Sequence, residues 1–300
     1  MTATAALLEK LSEKQSLTEE ESRSCLLSIF EGSWEQSDIT KLLSLLSAKG
    51  ESVDEIVGFA KAMREVSAKV SLSTPSIDLC GTGGTGKTRF NVSTASAFVL
   101  ASGGVGVAKH GNRGSSSPNG SFDFLEALNI PFEGHLDQLP RLYDETGLVF
   151  LFARNHHSAM RFVAASRKEI GKRTIFNLLG PLCNPAAPDF QIIGTMTQEI
   201  ADKISQALQA LSIKKALVIV GGDGHDELSA DQPSVIKEIT SSSIKESEFD
   251  PRNIFESTQA HQGGTALENA EVFKSIMENG DVDHAVSKLI AVNAGAAFYC

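Results

Sequence analysis

Two stretches rich in glycine, hydroxyl and cationic side chains carry the clearest chemical content of this chain. The first runs Asp78-Leu-Cys-Gly-Thr-Gly-Gly-Thr-Gly-Lys-Thr-Arg-Phe-Asn-Val-Ser-Thr94, the second Lys109-His-Gly-Asn-Arg-Gly-Ser-Ser-Ser117. Glycines let backbone N–H groups approach an anion closely, and successive N–H groups in such turns form anion-binding concavities. In the second stretch Lys109 and Arg113 bring positive charge, and Ser115, Ser116 and Ser117 bring donors at the approach to a helix, where the dipole favours anions. Asn112 can both donate and accept, which suits a small polar substrate. The ligand expected from the two loops is a phosphorylated small molecule.

Taken alone, the first loop points elsewhere. Gly81 to Thr88 matches the nucleotide P-loop pattern G-x-x-x-x-G-K-[ST], with Lys87 set for the outer phosphates and Thr88 for a magnesium ion. Three features weigh against that reading. Arg89-Phe90-Asn91 intervenes before the better helix start at Asn91-Val-Ser-Thr94, the apolar stretch 216–220 ends in Gly-Gly-Asp-Gly instead of an immediate carboxylate, and a P-loop leaves the second glycine loop without a role.

The elements that must position these loops follow from periodicity and caps. The first seventy or so residues read as helices without strands: 5–14, a second opened by the capping box Thr18-x-x-Glu21 and running to Phe30, a third capped at Ser37 and ending before Gly50, and a fourth opened by Ser52-x-x-Glu55. Val57, Phe59, Ala60, Met63 and Val66 recur at helical spacing in the fourth. A Ser/Pro-containing linker at 71–75 then leads into alternation. Strands are expected at 76–80, 105–108, 149–152, 191–196, 216–220 and 235–239, helices at 93–102, 121–128, 158–170 and 198–211, and a turn or hairpin tip at 241–243. Such alternation implies an α/β domain on a mostly parallel sheet. The domain division is a helical unit over 1–71 and an α/β unit over 72–300.

Bulk properties bound the function. A chain of 300 residues with 41% hydrophobic and 21% charged residues can bury a full core. With 27 Lys+Arg against 37 Asp+Glu the net charge is −10, which argues against a nucleic-acid backbone as partner. The 4 cysteines are too dispersed for a zinc site or a disulfide framework. No secretory signal and no membrane-spanning run is evident, so a cytoplasmic protein is expected.

The motifs together resemble anthranilate phosphoribosyltransferase. The resemblance rests on Gly81-Thr-Gly-Gly84, Asn91-x-Ser93-Thr94, Lys109-His-Gly-Asn-Arg113, Phe152-Ala-Arg-Asn-His-His-x-Ala-Met-Arg161, Arg173-Thr-Ile-Phe-Asn177, Gly180-Pro-Leu-x-Asn184-Pro185 and Asp226-Glu-Leu-Ser229, and it spans nearly the whole chain. Pyrimidine nucleoside phosphorylases share the architecture and a similar first loop, without the Asn184-Pro185 and Asp226-Glu227 segments. The resemblance implies a small N-terminal helical domain, a large α/β domain, an active site in the cleft between them, and a homodimer formed through the helical domain. It implies magnesium-dependent transfer of a phosphoribosyl group from phosphoribosyl pyrophosphate to the amine of anthranilate. For phosphoribosyl pyrophosphate it implies Gly81, Gly84, Thr85, Arg89, Asn91, Ser93, Thr94, Lys109, Asn112, Arg113, Ser115, Ser116, Ser117 and Ser121. For the acceptor it implies Gly81, His110, Asn112, His157 and Arg167, and for magnesium Ser93, Asp226 and Glu227, with no general base. A solvated acidic turn is the commoner meaning of an Asp-Glu pair, and an exposed helix face of an Arg167-Lys168-Glu169 run.

Two departures stand against the family pattern. Thr85 occupies the place of an aspartate, which implies altered magnesium dependence with activity retained, and Arg89 stands where a small hydroxyl residue is common. Family members also continue with further helices past Asn293-Ala-Gly-Ala-Ala-Phe-Tyr299, so the α/β unit is expected to lack C-terminal helices. A P-loop nucleotide hydrolase and a non-catalytic binding scaffold remain as alternatives.

Overall fold

The computed structural model describes residues 2–83, 89–114, 119–134, 136–255 and 263–300. Four helices come first: α1 (Ala3–Ser12), α2 (Glu19–Phe30), α3 (Gln36–Lys49) and α4 (Val53–Val66). Both capping boxes form, Thr18 with Glu21 and Ser52 with Glu55, because the Ser/Thr oxygen and the glutamate each take an N–H that the first helical turn leaves unpaired. Gly50 ends α3 at φ 84°, a conformation that a Cβ would strain. The start of α3 differs from expectation. Its N-cap is Glu35, without a side-chain bond, and Ser37 lies inside the first turn. The first turn is met instead by Ser166, whose hydroxyl donates to the Gln36 carbonyl at 3.3 Å. Val66, expected on the buried stripe of α4, is exposed at the helix end.

The α/β part follows as β1 (Ile77–Gly81), α5 (Val92–Ser102), β2 (Val107–Gly111), α6 (Ser121–Ala127), α7 (Leu139–Thr146), β3 (Leu148–Phe152), α8 (Ala153–His156), α9 (Arg161–Ile170), α10 (Phe176–Leu179), β4 (Phe190–Thr195), α11 (Gln198–Ala210), β5 (Lys215–Val220), β6 (Ser234–Thr240), β7 (Ile244–Phe249), α12 (Ala266–Asn279) and α13 (Ala285–Tyr299). The strands form one sheet in the order β3-β2-β1-β4-β5-β6-β7. β1 to β5 are parallel, and β6 and β7 extend the sheet as antiparallel strands. Strand β7 and helices α7, α8, α10, α12 and α13 were not expected from the sequence. The charges of Lys245, Glu246 and Glu248 break the apolar pattern of β7, as suits an edge strand that must not pair with another chain.

Side chains alternate across the sheet and split its core into two layers. Ile77, Leu79, Ile192, Leu217 and Ile219 face α5 and α13. Ile193, Ala216 and Val218 share a second core with α11 and with Leu26, Leu42, Ile56 and Phe59 of the N-terminal helices. That second core is completed from mid-chain: Val163 of α9, and Phe176, Leu178 and Leu179 of α10, are buried in it. α9 packs on α2 and α3, and α10 on α4. The helical layer of the fold is therefore assembled from two separate stretches of chain.

The strand order reverses at β1, which has β2 on one side and β4 on the other. In open parallel sheets ligands bind outside the carboxyl ends of strands at such a switch point. Here those ends are Gly81 of β1 and its register partner Gly194 of β4.

Candidate active site

Both glycines at the switch point are there to admit Asp226. A Cβ on Gly81 would come within 2.1 Å of Asp226 Oδ2, and one on Gly194 within 1.5 Å of the Asp226 carbonyl oxygen. Asp226 thus lies flat across the ends of β1 and β4. Its segment leaves β5 through the turn Gly221-Gly-Asp-Gly224 and is held from the other side by Asn293 of α13, whose amide bonds both the Leu228 N–H (3.0 Å) and the Leu228 carbonyl (2.9 Å). Asp226 Oδ2 accepts from the Gly83 N–H at 2.8 Å, which ties the first glycine loop to the acid pair. Asp226 is buried and Glu227 half-buried. Burial pushes the Glu227 carboxyl well above its usual range, and the neighbouring Asp226 carboxylate adds to the shift.

A buried Asp226 beside a Glu227 carboxyl that burial pushes up fits a resident cation. Among the described residues no group of three or more His, Cys, Asp or Glu is placed to hold a metal. A two-carboxylate site is what magnesium uses when waters and substrate phosphates complete its shell. Asp226 and Glu227 offer oxygen donors, which suit that hard ion, and Ser93, the third expected ligand, is half-buried in the first turn of α5.

Among the described residues Arg89 is the cation paired with these acids. Its guanidinium forms an ion pair with Asp226 Oδ1. Its main chain is clamped, since the Arg89 carbonyl accepts from Asn119 Nδ2 (2.8 Å) and Asn269 Nδ2 (2.9 Å). Asn269 also donates to Asn91 Oδ1 at 2.9 Å, so one amide from α12 orders the approach to α5. α5 begins at Val92 with Asn91 as N-cap, and Arg89 and Phe90 precede it outside any helix, while Lys87 and Thr88 of the P-loop pattern lie outside the described residues. Thr94, in the first turn of α5, is buried, and its hydroxyl has no partner among the described residues. Arg173 reaches the same loop, donating from Nη1 to the Gly83 carbonyl at 3.1 Å, while its buried Nη2 has no partner among the described residues. An unpaired buried donor beside an anion-binding turn is suited to a phosphate oxygen.

Several expected residues point elsewhere. Lys109 is 1% exposed, and its ammonium donates to the Leu79 carbonyl at 2.5 Å. Burial lowers its pKa, opposed mainly by Asp78. In a strand successive side chains take opposite faces, so Lys109 and His110 cannot both line one cleft. The ammonium expected on phosphate instead balances Asp78, whose carboxylate accepts from the His110 N–H (3.1 Å) and Asn184 Nδ2 (2.8 Å). Burial raises Asp78 to about 6, with Lys109 the strongest opposing influence. Arg113 pairs with Asp123 and Glu126 of α6 and is not free for a ligand. Asn112 is exposed and Ser121 half-buried at the start of α6, which closes this second loop. Gly84, Thr85, Ser115, Ser116 and Ser117 lie outside the described residues.

Of the expected acceptor residues, His110 and His157 come together. His110 Nδ1 lies 3.2 Å from the Gly180 carbonyl, and His110 Nε2 lies 3.2 Å from His157 Nε2. A carbonyl only accepts, so His110 carries its proton on Nδ1 and His157 donates from Nε2. Burial, reinforced by the neighbouring histidines, pushes His110 down to about 3 and His157 to about 4. Both are neutral at pH 7, and neither starts as a general acid. Arg167 is half-buried over the Phe176 ring at 5.3 Å, and burial lowers its pKa. It shows no ion pair among the described residues, whereas Lys168 and Glu169 beside it are exposed.

The histidine chain has a consequence for stability. The depressed pKa values mean that the unfolded state binds protons the folded state refuses between pH 6.5 and about 4. Stability must therefore fall as pH drops through that window. At pH 5 each histidine should cost about 2 kcal/mol relative to pH 7. Asp78 opposes this, because its raised pKa makes folding bind a proton below pH 6. Urea unfolding at pH 7 and pH 5 of the native chain and of His110→Asn/His157→Asn should show a clearly smaller acid loss in the variant. Equal losses would show that the two rings do not titrate in this way.

Fold and site together define a two-domain glycosyl transferase. Residues 73–300 match the model of the glycosyl transferase family a/b domain, and residues 5–67 that of the glycosyl transferase family helical bundle domain. The anthranilate phosphoribosyltransferase of Rubrobacter xylanophilus is 41% identical over 295 residues, which cover 97% of this chain and 86% of the relative. The crystal structure of the Thermus thermophilus anthranilate phosphoribosyltransferase superposes with a TM-score of 0.89 at 36% identity, over 98% of this chain and 88% of that one. The Saccharomyces cerevisiae enzyme in complex with PRPP and Mg gives 0.88 at 25% identity, over 99% of this chain and 88% of that one. The chain belongs to the anthranilate phosphoribosyltransferase family. Nothing in these likenesses supports a nucleotide hydrolase or a non-catalytic scaffold.

Proposed function

We infer that the cleft over the switch point transfers the phosphoribosyl group of phosphoribosyl pyrophosphate to the amine of anthranilate, with magnesium as cofactor. The observation that carries this is the placement of Asp226 across Gly81 and Gly194, with the first glycine loop bonded to it. In the reaction the bond from the ribose C1 to the pyrophosphate oxygen breaks and a bond from C1 to the anthranilate nitrogen forms. Pyrophosphate leaves with the electron pair, and the proton lost by the amine passes to water. Bound magnesium neutralises charge on the departing pyrophosphate. The chain's own residues bind and orient. Gly83 and Arg173 face the pyrophosphate end, Asn91, Ser93 and Thr94 the approach to α5, and Arg167 the anthranilate carboxylate, for which a guanidinium is the fitting partner. The neutral His110–His157 pair lines the acceptor side without taking a proton. An aromatic amine is nucleophilic as it stands, so positioning and charge stabilisation carry the rate.

The domain division at residue 71, the site assignments, a homodimer through the helical layer and a cytoplasmic setting belong to this same reading, as does a place in tryptophan biosynthesis. Among the described residues no helix is long and apolar enough to cross a membrane, and the cysteines are free. The direct test follows anthranilate fluorescence after phosphoribosyl pyrophosphate and magnesium are added to the purified chain. Fluorescence should decay with turnover; no decay at stoichiometric enzyme would reject anthranilate as the acceptor.

A further inference from the structure

We propose that Arg89 is a resident counter-cation of the metal site, and that a divalent metal must displace it from Asp226. The proposal rests on Asp226 and Glu227 being the metal carboxylates, as read above. Both oxygens of Asp226 are already engaged, Oδ1 by the Arg89 guanidinium and Oδ2 by the Gly83 N–H. The Asp226 side chain is 0% exposed, so no solvent cation reaches it without moving a neighbour. The Arg89 side chain is 29% exposed and can move. Its main chain cannot follow, because Asn119 and Asn269 hold the carbonyl and Phe90 is buried next to it. The exchange is therefore a side-chain swing about a fixed anchor.

A guanidinium does not shed its proton to make way, so it must find another anion. Pyrophosphate offers one, with oxygens spaced for two parallel N–H···O bonds. Arg89 then passes from Asp226 to the leaving group while the metal takes Asp226. Metal affinity of the free chain is low by the fraction of time Arg89 spends on the acid, and pyrophosphate lifts that restraint. One residue thereby links metal entry to substrate entry, and the cleft does not hold a bare dication beside its acids between turnovers.

The test is a Mn2+ titration of the full chain followed by electron paramagnetic resonance, alone and with inorganic pyrophosphate. Arg89→Ser should bind Mn2+ alone about tenfold tighter than the native chain. Pyrophosphate should tighten Mn2+ binding more in the native chain than in Arg89→Ser. Arg89→Gln carries the same expectation should the serine variant fail to fold, and Arg89→Lys, which keeps the charge, should stay near native. Equal Mn2+ affinity in native and Arg89→Ser, with Asp226→Asn weakened, would overturn the proposal and leave the metal site standing. Mn2+ binding undiminished in Asp226→Asn would overturn the metal assignment and the proposal with it.

Discussion

Replacing Asp226 with asparagine should lower kcat/KM by about a thousandfold, the scale of removing a preorganised charge from a transition state. Asparagine keeps the shape and can still accept from the Gly83 N–H, so the glycine loop stays in place. What it removes is the negative charge that holds a cation over the switch point. The folded state should suffer far less. Breaking a buried pair costs several kcal/mol only when the surviving charge stays buried. Arg89 is 29% exposed and can turn to water, so about 1 kcal/mol is expected. Steady-state kinetics and a urea titration on the same preparation separate the two effects. A large stability loss with kcat/KM little changed would reverse the assignment and make Asp226 a structural residue.

Gly194→Ala should be comparably severe by a different route. The new Cβ would lie 1.5 Å from the Asp226 carbonyl oxygen and 2.3 Å from its carbon. Both are main-chain atoms, so no rotamer change relieves the contact, and the acid-bearing segment must be pushed off the strand ends. Overpacking of this kind costs about 3 kcal/mol. A displacement of about 1 Å at a reacting site costs roughly a hundredfold in rate. Gly134→Ala serves as the comparison, because nothing lies within 4 Å of its Cβ position. It should change stability by no more than about 0.5 kcal/mol. If the two alanine variants behave alike in thermal unfolding and turnover, close approach of Asp226 is not why residue 194 is glycine.

What could be read from the sequence was what local chemistry decides. The capping boxes at Thr18 and Ser52 and the glycine end of α3 depend on residues a few positions apart, and they formed as expected. The glycine loop after β1 and the acid pair after β5 were legible for the same reason, since each follows an apolar strand. α12 carries an equally clear capping box, Thr265 with Glu268, which went unread. β7 was hidden because an edge strand faces water and loses its apolar alternation. At the site, orientation was the part that spacing could not supply. Whether Lys109 reaches the cleft or turns to the Leu79 carbonyl depends on the pleat of β2 and on Asp78 in the neighbouring strand. An aspartate inside an otherwise apolar strand was the available signal for that pair. The partner of Arg89 lies 137 residues further along the chain, beyond any local rule.

The two-part origin of the helical layer bears on how the chain reaches its native state. α1 to α4 are made first, yet the surface they share with Val163 and Phe176 stays uncovered until residues 161–179 have followed. Chains of this size emerge from the ribosome over many seconds, and domains fold as units once complete. The N-terminal helices must therefore wait, half-wrapped, through synthesis of β1, β2 and β3. Their long-range closure raises the contact order of a segment that looks purely local on paper, which slows its final docking. A chaperone acting on the nascent chain would meet this apolar helical face throughout that interval.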